Sequence, residues 1–330
     1  APGIGDLGKK AGKLLAVTTV LAYGSTIVSG SLAFFTNSIL LKKILPAGAA
    51  LAEGSHPEAG LLSGYLTVDM PPIMGVMTAL LMAFIIGIGI AVVEGTTLKN
   101  FMNEIQTIVE KIITNIIIPF LPLYIAGIFA NMTYAGEIIK IMSVFAKVFG
   151  IIIILHFVIL LVQYTIAGTL AGANPLLLIR KMLPAYFTAI GTQSSAATIP
   201  VTLNQTKENG VNEGIADFTI PLCATIHLSG STITLVSCSM AVMMLHGMPI
   251  TFSGMFGFIL MLGVTMVAAP GVPGGAVMAA LGLLESMLGF GPELTSLMIA
   301  LYLTQDSFGT ACNVTGDGAI AIMVNKIAGF

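Results

Sequence analysis

The chain has 330 residues, of which 56% are hydrophobic and only 8% are charged, and its formal net charge is −2. A soluble domain carries roughly 25% charged residues, so this chain lacks the polar surface that contact with water requires and is expected to face lipid. A charge so close to zero gives no indication of nucleic acid or of another polyionic partner.

The first half of the chain contains four apolar stretches that are long enough to cross a bilayer, for which a helix needs about 20 residues. They lie at 14–41, 73–93, 98–130 and 138–170. The third is more amphipathic than the others, and its prolines are expected to kink it. A polar segment rich in glycine and proline, 46–72, predicts an external loop with partial helix.

The second half repeats one arrangement. Two apolar segments, 175–203 and 252–289, are each interrupted by small residues and proline, and a long helix with polar residues follows each, at 212–247 and 292–328. A re-entrant hairpin followed by a helix, twice, predicts an internal repeat of inverted topology. In secondary transporters, paired broken segments mark the binding site, because half-helix ends and free backbone groups face substrate and ions there.

The basic residues predict the orientation in the membrane, since cytoplasmic loops carry an excess of lysine and arginine. If the spans alternate, one side collects Lys9, Lys10, Lys13, Lys99, Arg180, Lys181, Lys207 and Lys326, and the other has mainly Lys42, Lys43 and Lys140. Both ends of this chain are therefore expected on the cytoplasmic side of a multi-pass plasma (cytoplasmic) membrane protein. The first hairpin then enters from the inside and the second from the outside.

A polar stripe lies in the last predicted helix. Asp306, Thr310, Asn313 and Asp317 are spaced four, three and four residues apart, so they fall within about 60° of one another on a helix. A carboxylate at membrane depth costs at least ~2.5 kcal/mol without a partner. Two carboxylates on one face predict a cation, an ammonium group or water beside them, the alternative being polar groups that only pack helices together.

An enzyme and a passive channel are the rival functions. Eleven residues at a rise of ~1.5 Å place the carboxylates of Asp306 and Asp317 roughly 16 Å apart, whereas an aspartic dyad shares a proton over about 3 Å. The spacing excludes such a dyad, and no nucleophile motif is present, so an enzyme is not predicted. A passive channel remains the alternative function, because broken helices alone do not exclude it.

A second polar element, 219–231, interrupts the helix after the first hairpin. Pro221 removes a backbone donor and Gly230 loosens the helix, so carbonyl groups are freed in mid-membrane and suit a hard monovalent ion. His227 lies within this element; taken without its neighbours, it is better interpreted as a hydrogen-bonded core histidine than as part of an ion site. Cys223, in the same element, has no CxxC partner and reads as a small packing residue.

Four motifs in order carry a resemblance to a known family: SSAATIPVT at 194–202, PLCATIHLSG at 221–230, GVPG at 271–274 and NVTGD at 313–317. The chain resembles the dicarboxylate/amino acid:cation symporter family, which has the glutamate-transporter fold. The resemblance implies an all-α polytopic protein with eight transmembrane helices, two re-entrant hairpins and a homotrimeric assembly. Residue 1 corresponds to a point just before the family's third helix, so the first two helices look absent. It also implies scaffold helices at 1–137 and a transport domain at 138–330.

The family's site residues carry over by position. Asp306 resembles the residue that holds the substrate's α-ammonium, Asn313 the one that meets its α-carboxylate, and Thr310 a residue of the side-chain pocket. The implied substrate site is completed by Ser195, Ser231, Val272 and Gly309. The resemblance implies two sodium sites, with a proton as the alternative coupling ion. Asp317 and Asn313, with backbone from Cys223 and His227, match the first, and Thr225, Val267 and Ala269 match the second.

Three departures from the family pattern bear on the substrate. Residues 227–231 read HLSGS where the family has Asn-Met-Asp-Gly-Thr, so an amide and a carboxylate used for a third cation are missing. Gly309 and Gln193 stand where acidic-substrate relatives carry arginine, and the QDS triplet at 305–307 resembles the serine/threonine branch. These features predict symport of a cation with a small neutral amino acid such as serine, threonine or alanine. A dicarboxylate or acidic amino acid is the alternative substrate.

Overall fold

The computed structural model describes residues 10–44, 74, 76–93, 96–112, 115–116, 118–134, 138–269 and 273–328, and within them every regular element is helical. The elements are α1 (Lys10–Ile44), α2 (Val76–Val93), α3 (Thr96–Ile112), α4 (Ile118–Tyr134), α5 (Ile138–Ala171), α6 (Pro175–Thr192), α7 (Ser195–Glu208), α8 (Glu213–Ile226), α9 (Ser229–Leu245), α10 (Phe252–Thr265), a 3₁₀ helix (Met266–Ala268), α11 (Gly275–Leu288), α12 (Pro292–Leu303) and α13 (Asp306–Ala328). The all-α fold predicted from the sequence is confirmed.

Three helical segments of the described residues are long and apolar enough to cross a membrane: Gly12–Ile44, Met142–Ala171 and Glu213–Leu245. The predicted spans at 14–41, 73–93 and 138–170 correspond to α1, α2 and α5. The amphipathic stretch at 98–130 forms two helices, α3 and α4, with Pro122 inside the second. The predicted loop at 46–72 lies outside the described residues.

The second half of the chain shows the predicted succession of a hairpin and a helix, twice. Helices α6 and α7 meet at residues 193–194, and α10 and α11 flank the second hairpin tip, of which 270–272 lie outside the described residues. The two segments that follow are each divided, α8 from α9 at 227–228, within the interruption predicted at 219–231, and α12 from α13 at 304–305, where no division was predicted. At the first division His227 takes an extended conformation, with φ −109° and ψ 95°.

Helix α13 lies at the centre of the packing. It contacts α1, α5, α6, α7, α8 and α9, and almost all its side chains from Thr310 to Val324 are buried. Helix α1 packs against α9, α10 and α13 as well as α5, so the first described helix adjoins the hairpin half. The helices of the first hairpin and of the first divided segment therefore all pack against the helix that carries the polar stripe.

Two salt bridges tie the first hairpin to the first turns of the helix that follows. Lys207, near the end of α7, lies 2.8 Å from Asp217 and 3.0 Å from Glu213, both on α8. Its hydrogen bonds to Asp217 and Glu213 raise the pKa of Lys207. Because all three side chains are partly exposed, the contribution to stability is expected to be small.

A glycine lets α9 and α13 approach each other at the division. A Cβ added to Gly230 would collide with the backbone oxygen of Gly309 and would lie 2.6 Å from the Cβ of Cys312. Neither the Gly309 oxygen nor the Cys312 Cβ can move away by a side-chain rotation, because both are fixed to the backbone of α13. A Cβ at Gly309 itself would meet nothing closer than 3.6 Å.

We therefore predict that Gly230→Ala separates α9 from α13 and lowers the thermal unfolding midpoint of the purified protein, because overpacking of this kind costs roughly 1–3 kcal/mol. Gly309→Ala, at the same helix contact, is the control and should change the midpoint little. Equal midpoints for the two variants would contradict the close approach.

Candidate functional site

The start of α9 is capped by a side chain from α13. Leu228, which precedes α9, makes no side-chain cap. The amide oxygen of Asn313 instead accepts hydrogen bonds from the backbone N–H groups of Gly230, at 2.7 Å, and Ser231, at 3.3 Å. The first N–H groups of a helix have no intrahelical partner, so Asn313 satisfies them from a neighbouring helix.

Two further bonds fix the orientation of the Asn313 amide. Its Nδ2 donates to Ser231 Oγ at 2.9 Å, and the hydroxyl of Tyr302 donates to the same oxygen at 3.0 Å. All three residues are buried. Tyr302 was not identified from the sequence, although its position four residues before Asp306 continues the polar stripe by one turn.

A cavity of about 630 Å³ lies between the hairpins, the end of α8 and α13. Of the residues predicted for the site, it is lined by Ser195, Thr225, Ser231, Val267, Ala269, Asp306, Thr310 and Asn313. The structure thus brings together most of the predicted substrate residues and the whole second cation set. Asn103 and Gln106 of α3 also line the cavity; the amphipathic pattern of this segment was the only signal that could have indicated them.

Four other predicted residues, all of them described, do not line the cavity: Gly309, Cys223, His227 and Asp317. Gly309 is buried against α9, with Ser231 N and Thr234 Oγ1 both 3.6 Å from an added Cβ. Cys223, His227 and Asp317 are buried behind the wall, and Val272 lies outside the described residues. Their roles in binding stay predictions.

Asp306 connects α13 to the second hairpin. Its Oδ2 accepts a hydrogen bond of 2.6 Å from the backbone N–H of Gly274, and its Oδ1 lies 3.5 Å from the hydroxyl of Thr310. Gly274 has φ 77° and precedes the first residue of α11, so the carboxylate faces the positive end of that helix. The same carboxylate lines the cavity, where it can meet a cationic group of a ligand.

The tip of the first hairpin is also attached to α13. Gln193 takes a left-handed conformation, with φ 51°, and its side-chain amide donates to Ser307 Oγ at 2.8 Å. Ser194 then caps α7 by accepting from Ala197 N at 3.2 Å. Because Ser195 lines the cavity as the first residue of α7, the positive end of this helix faces the ligand space.

The side chains of the first predicted cation set are already hydrogen-bonded within the protein. His227 Nδ1 lies 2.8 Å from Asp317 Oδ1, and the Cys223 carbonyl accepts a 2.8 Å bond from the His227 backbone N–H. The Asn313 amide oxygen already accepts two bonds. Hard cations are held by several oxygen atoms, and the described residues contain no group of three or more His, Cys, Asp or Glu that could hold a metal ion. One carboxylate oxygen of Asp317 is thus bonded to the imidazole and is not open to a cation beside His227.

The second predicted cation set fits better. Helix α8 ends at Ile226 and the 3₁₀ helix ends at Ala268, and the two pack against each other. Carbonyl groups at helix C-termini lack intrahelical partners and carry the negative end of the helix dipole. Thr225, Val267 and Ala269 stand at these two ends and line the cavity. Their carbonyl oxygens are suited to hold a monovalent cation, which would supply positive charge next to the ligand space.

Comparison with known proteins gives one consistent result. Residues 1–327 match the profile of the sodium:dicarboxylate symporter family. A serine/threonine transporter of Acinetobacter baumannii (strain SDF) is 30% identical over 244 residues, which is 72% of this chain and 60% of the relative. An excitatory amino acid transporter 1 of Ambystoma tigrinum is 26% identical over 252 residues, 75% of this chain and 46% of the relative. The chain thus spans about 60% or less of the length of these two relatives, which are transporters and not enzymes.

We predict that Asn313→Ala lowers the free energy of unfolding by roughly 1–3 kcal/mol, because two buried N–H groups at the start of α9 lose their acceptor. Asn325→Ala is the matched control: it is on the same helix, and its amide oxygen accepts one bond from Asn212 N in a more exposed setting. Thermal unfolding in detergent gives both values. A loss no larger for Asn313 than for Asn325 would show that the cap contributes little.

Proposed function

Because the chain belongs to the sodium:dicarboxylate symporter family, we propose that it acts in secondary active symport, which couples a gradient of sodium, or of another cation, to the uptake of a small neutral amino acid. Serine, threonine and alanine are the proposed substrates. The protein would work as a homotrimer in the cytoplasmic membrane, with both ends of this chain on the cytoplasmic side.

The charge of the residues that line the cavity is the observation that favours a neutral amino acid as the substrate. Asp306 is the only charged side chain among the described residues that line the cavity. One carboxylate matches one α-ammonium group, and no lysine or arginine of this lining is available for the side-chain carboxylate of a dicarboxylate or acidic amino acid. Gly309, where acidic-substrate relatives carry arginine, has no side chain to supply that charge.

The helix ends around the cavity support a zwitterion together with a cation. The positive end of α7 at Ser195 and the side-chain amide of Asn313 are suited to the α-carboxylate. The C-terminal ends of α8 and of the 3₁₀ helix, at Thr225 and Ala269, are suited to the coupled cation. Substrate and cation would then lie in one cavity, and the binding of each would favour the binding of the other.

The hydrogen bonds of α13 support a way for binding to act on the hairpins. Asp306 bonds to Gly274 at the second hairpin, and Ser307, the next residue, bonds to Gln193 at the first. A ligand that pairs with Asp306 would change the contact that holds the second hairpin, and so would link occupancy to opening. Alternating access by movement of residues 138–330 against a scaffold is the proposed transport step, and α1, which packs on this half, would move with it.

Solute counterflow in liposomes tests the proposed substrate. With internal serine, we expect uptake of labelled serine in sodium medium, inhibited by alanine and threonine but much less by aspartate or succinate. Inhibition by aspartate as strong as that by alanine would contradict the neutral assignment. Equal uptake of labelled serine with and without internal serine, together with no accumulation under a cation gradient, would instead indicate a passive channel.

Asp306→Asn tests the role of the carboxylate without removing its contact to the second hairpin. The amide oxygen can still accept from Gly274, but it cannot form a charge-assisted bond with an ammonium group, which is worth ~1.5–3 kcal/mol. We therefore expect serine affinity to fall at least about tenfold, with the thermal midpoint nearly unchanged. Asp217→Asn, a partly exposed residue outside the cavity, is the control, and an equal effect of both variants on affinity would exclude Asp306 as the ammonium partner.

A further inference from the structure

A chain of polar groups, buried except for the half-buried Ser25, lies behind the cavity and joins four parts of the fold. Asp317 is only 1% exposed in the middle of α13, and His227, at the division between α8 and α9, is equally buried. Gln163 of α5 and Ser25 of α1 complete the chain. A carboxylate at this depth needs a partner, and the contacts show which one it has.

The directions of the two outer hydrogen bonds follow from the chemistry of the groups. Gln163 Nε2 can only donate, and it donates to Ser25 Oγ at 2.8 Å. Ser25 Oγ lies 3.0 Å from His227 Nε2. Because an ionised carboxylate only accepts, His227 Nδ1 carries a hydrogen and donates it to Asp317 Oδ1 at 2.8 Å. The chain thus runs from Gln163 through Ser25 and His227 to Asp317.

The backbone of α13 closes one side of the imidazole. A Cβ added to Gly316, the residue before Asp317, would lie 2.7 Å from His227 Cε1 and 2.8 Å from Gln163 Oε1. The helix backbone at Gly316 therefore presses directly against the ring and the amide. Because the position tolerates no side chain, the imidazole is fixed between α13 and Ser25.

We propose that the His227 imidazole is the permanent, built-in partner of Asp317 and occupies the place that a coupling cation would need at this carboxylate. On this proposal Asp317 is a positioning residue and not a cation ligand, and cation binding is confined to the C-terminal ends of α8 and the 3₁₀ helix. The inference rests on the proposed cation symport for its functional meaning, but the pairing itself is a property of the fold.

The double variant His227→Gln with Asp317→Asn tests the consequence for cations. The two amides can keep a hydrogen bond while the carboxylate charge is removed. We expect the sodium concentration that gives half of the thermal stabilisation, measured in nanodiscs without substrate, to stay within about twofold of the wild-type value. An increase of about tenfold or more would show that Asp317 ligates the ion and would overturn the proposal. The matched control is Asn325→Gln, a polar change on the same helix away from both sites.

Nitrogen-15 NMR of histidine-labelled protein tests the pairing even if the double variant fails to fold. The His227 signals are identified by their loss in His227→Gln. We expect a hydrogen on Nδ1 and no change of the ring signals at saturating sodium. A ring with Nδ1 unprotonated, or signals that move on addition of sodium, would overturn the pairing. A wild type that sodium and other cations fail to stabilise would contradict the proposed symport alone, and the NMR result would still decide the pairing.

Discussion

The structure depends on one constraint: polar groups exposed by broken helices must find partners where water does not reach them. Each unsatisfied group in an apolar environment costs several kcal/mol. In this chain α13 supplies the partners. Asn313 caps α9, Asp306 meets the start of α11, Ser307 holds the tip at Gln193, and Asp317 pairs with His227. The helix that carries the polar stripe is therefore the one to which both hairpins and the first division are attached.

This arrangement gives the carboxylates of α13 different surroundings. Asp306 faces the cavity and a helix start, so it can accept a second positive group from a ligand. Asp317 donates no bond and has one oxygen held by the imidazole of His227, beside a close-packed glycine. Two acidic residues that look equivalent on a helical wheel therefore have different neighbours, and we propose different roles for them, ligand binding for Asp306 and internal structure for Asp317.

The sequence was sufficient to predict the positions of three helices and most of the residues that line the cavity. Hydropathy located α1, α2 and α5, and the spacing of Asp306, Thr310 and Asn313 placed them on one face because α13 is a regular helix there. What it could not supply were contacts between elements far apart in the chain. Nothing near His227 in the sequence indicates that Ser25 and Gln163 lie beside it, or that Asn313 serves as the cap of α9. The assignment of Asp317 and His227 to a cation came from resemblance by position, which carries no information about where a substituted side chain points. The division into scaffold and transport domain likewise stays a prediction, with α1 packed on the hairpin half.

The central claim is that one cavity on α13 binds a neutral amino acid and a cation together. The most direct measurement is the dissociation constant of serine as a function of sodium concentration, with the reciprocal measurement of sodium affinity as a function of serine. The account predicts that each ligand tightens the other by the same factor, as thermodynamic linkage requires. Serine binding that is independent of sodium and of every other cation, or tighter binding of succinate or aspartate than of serine, would contradict it.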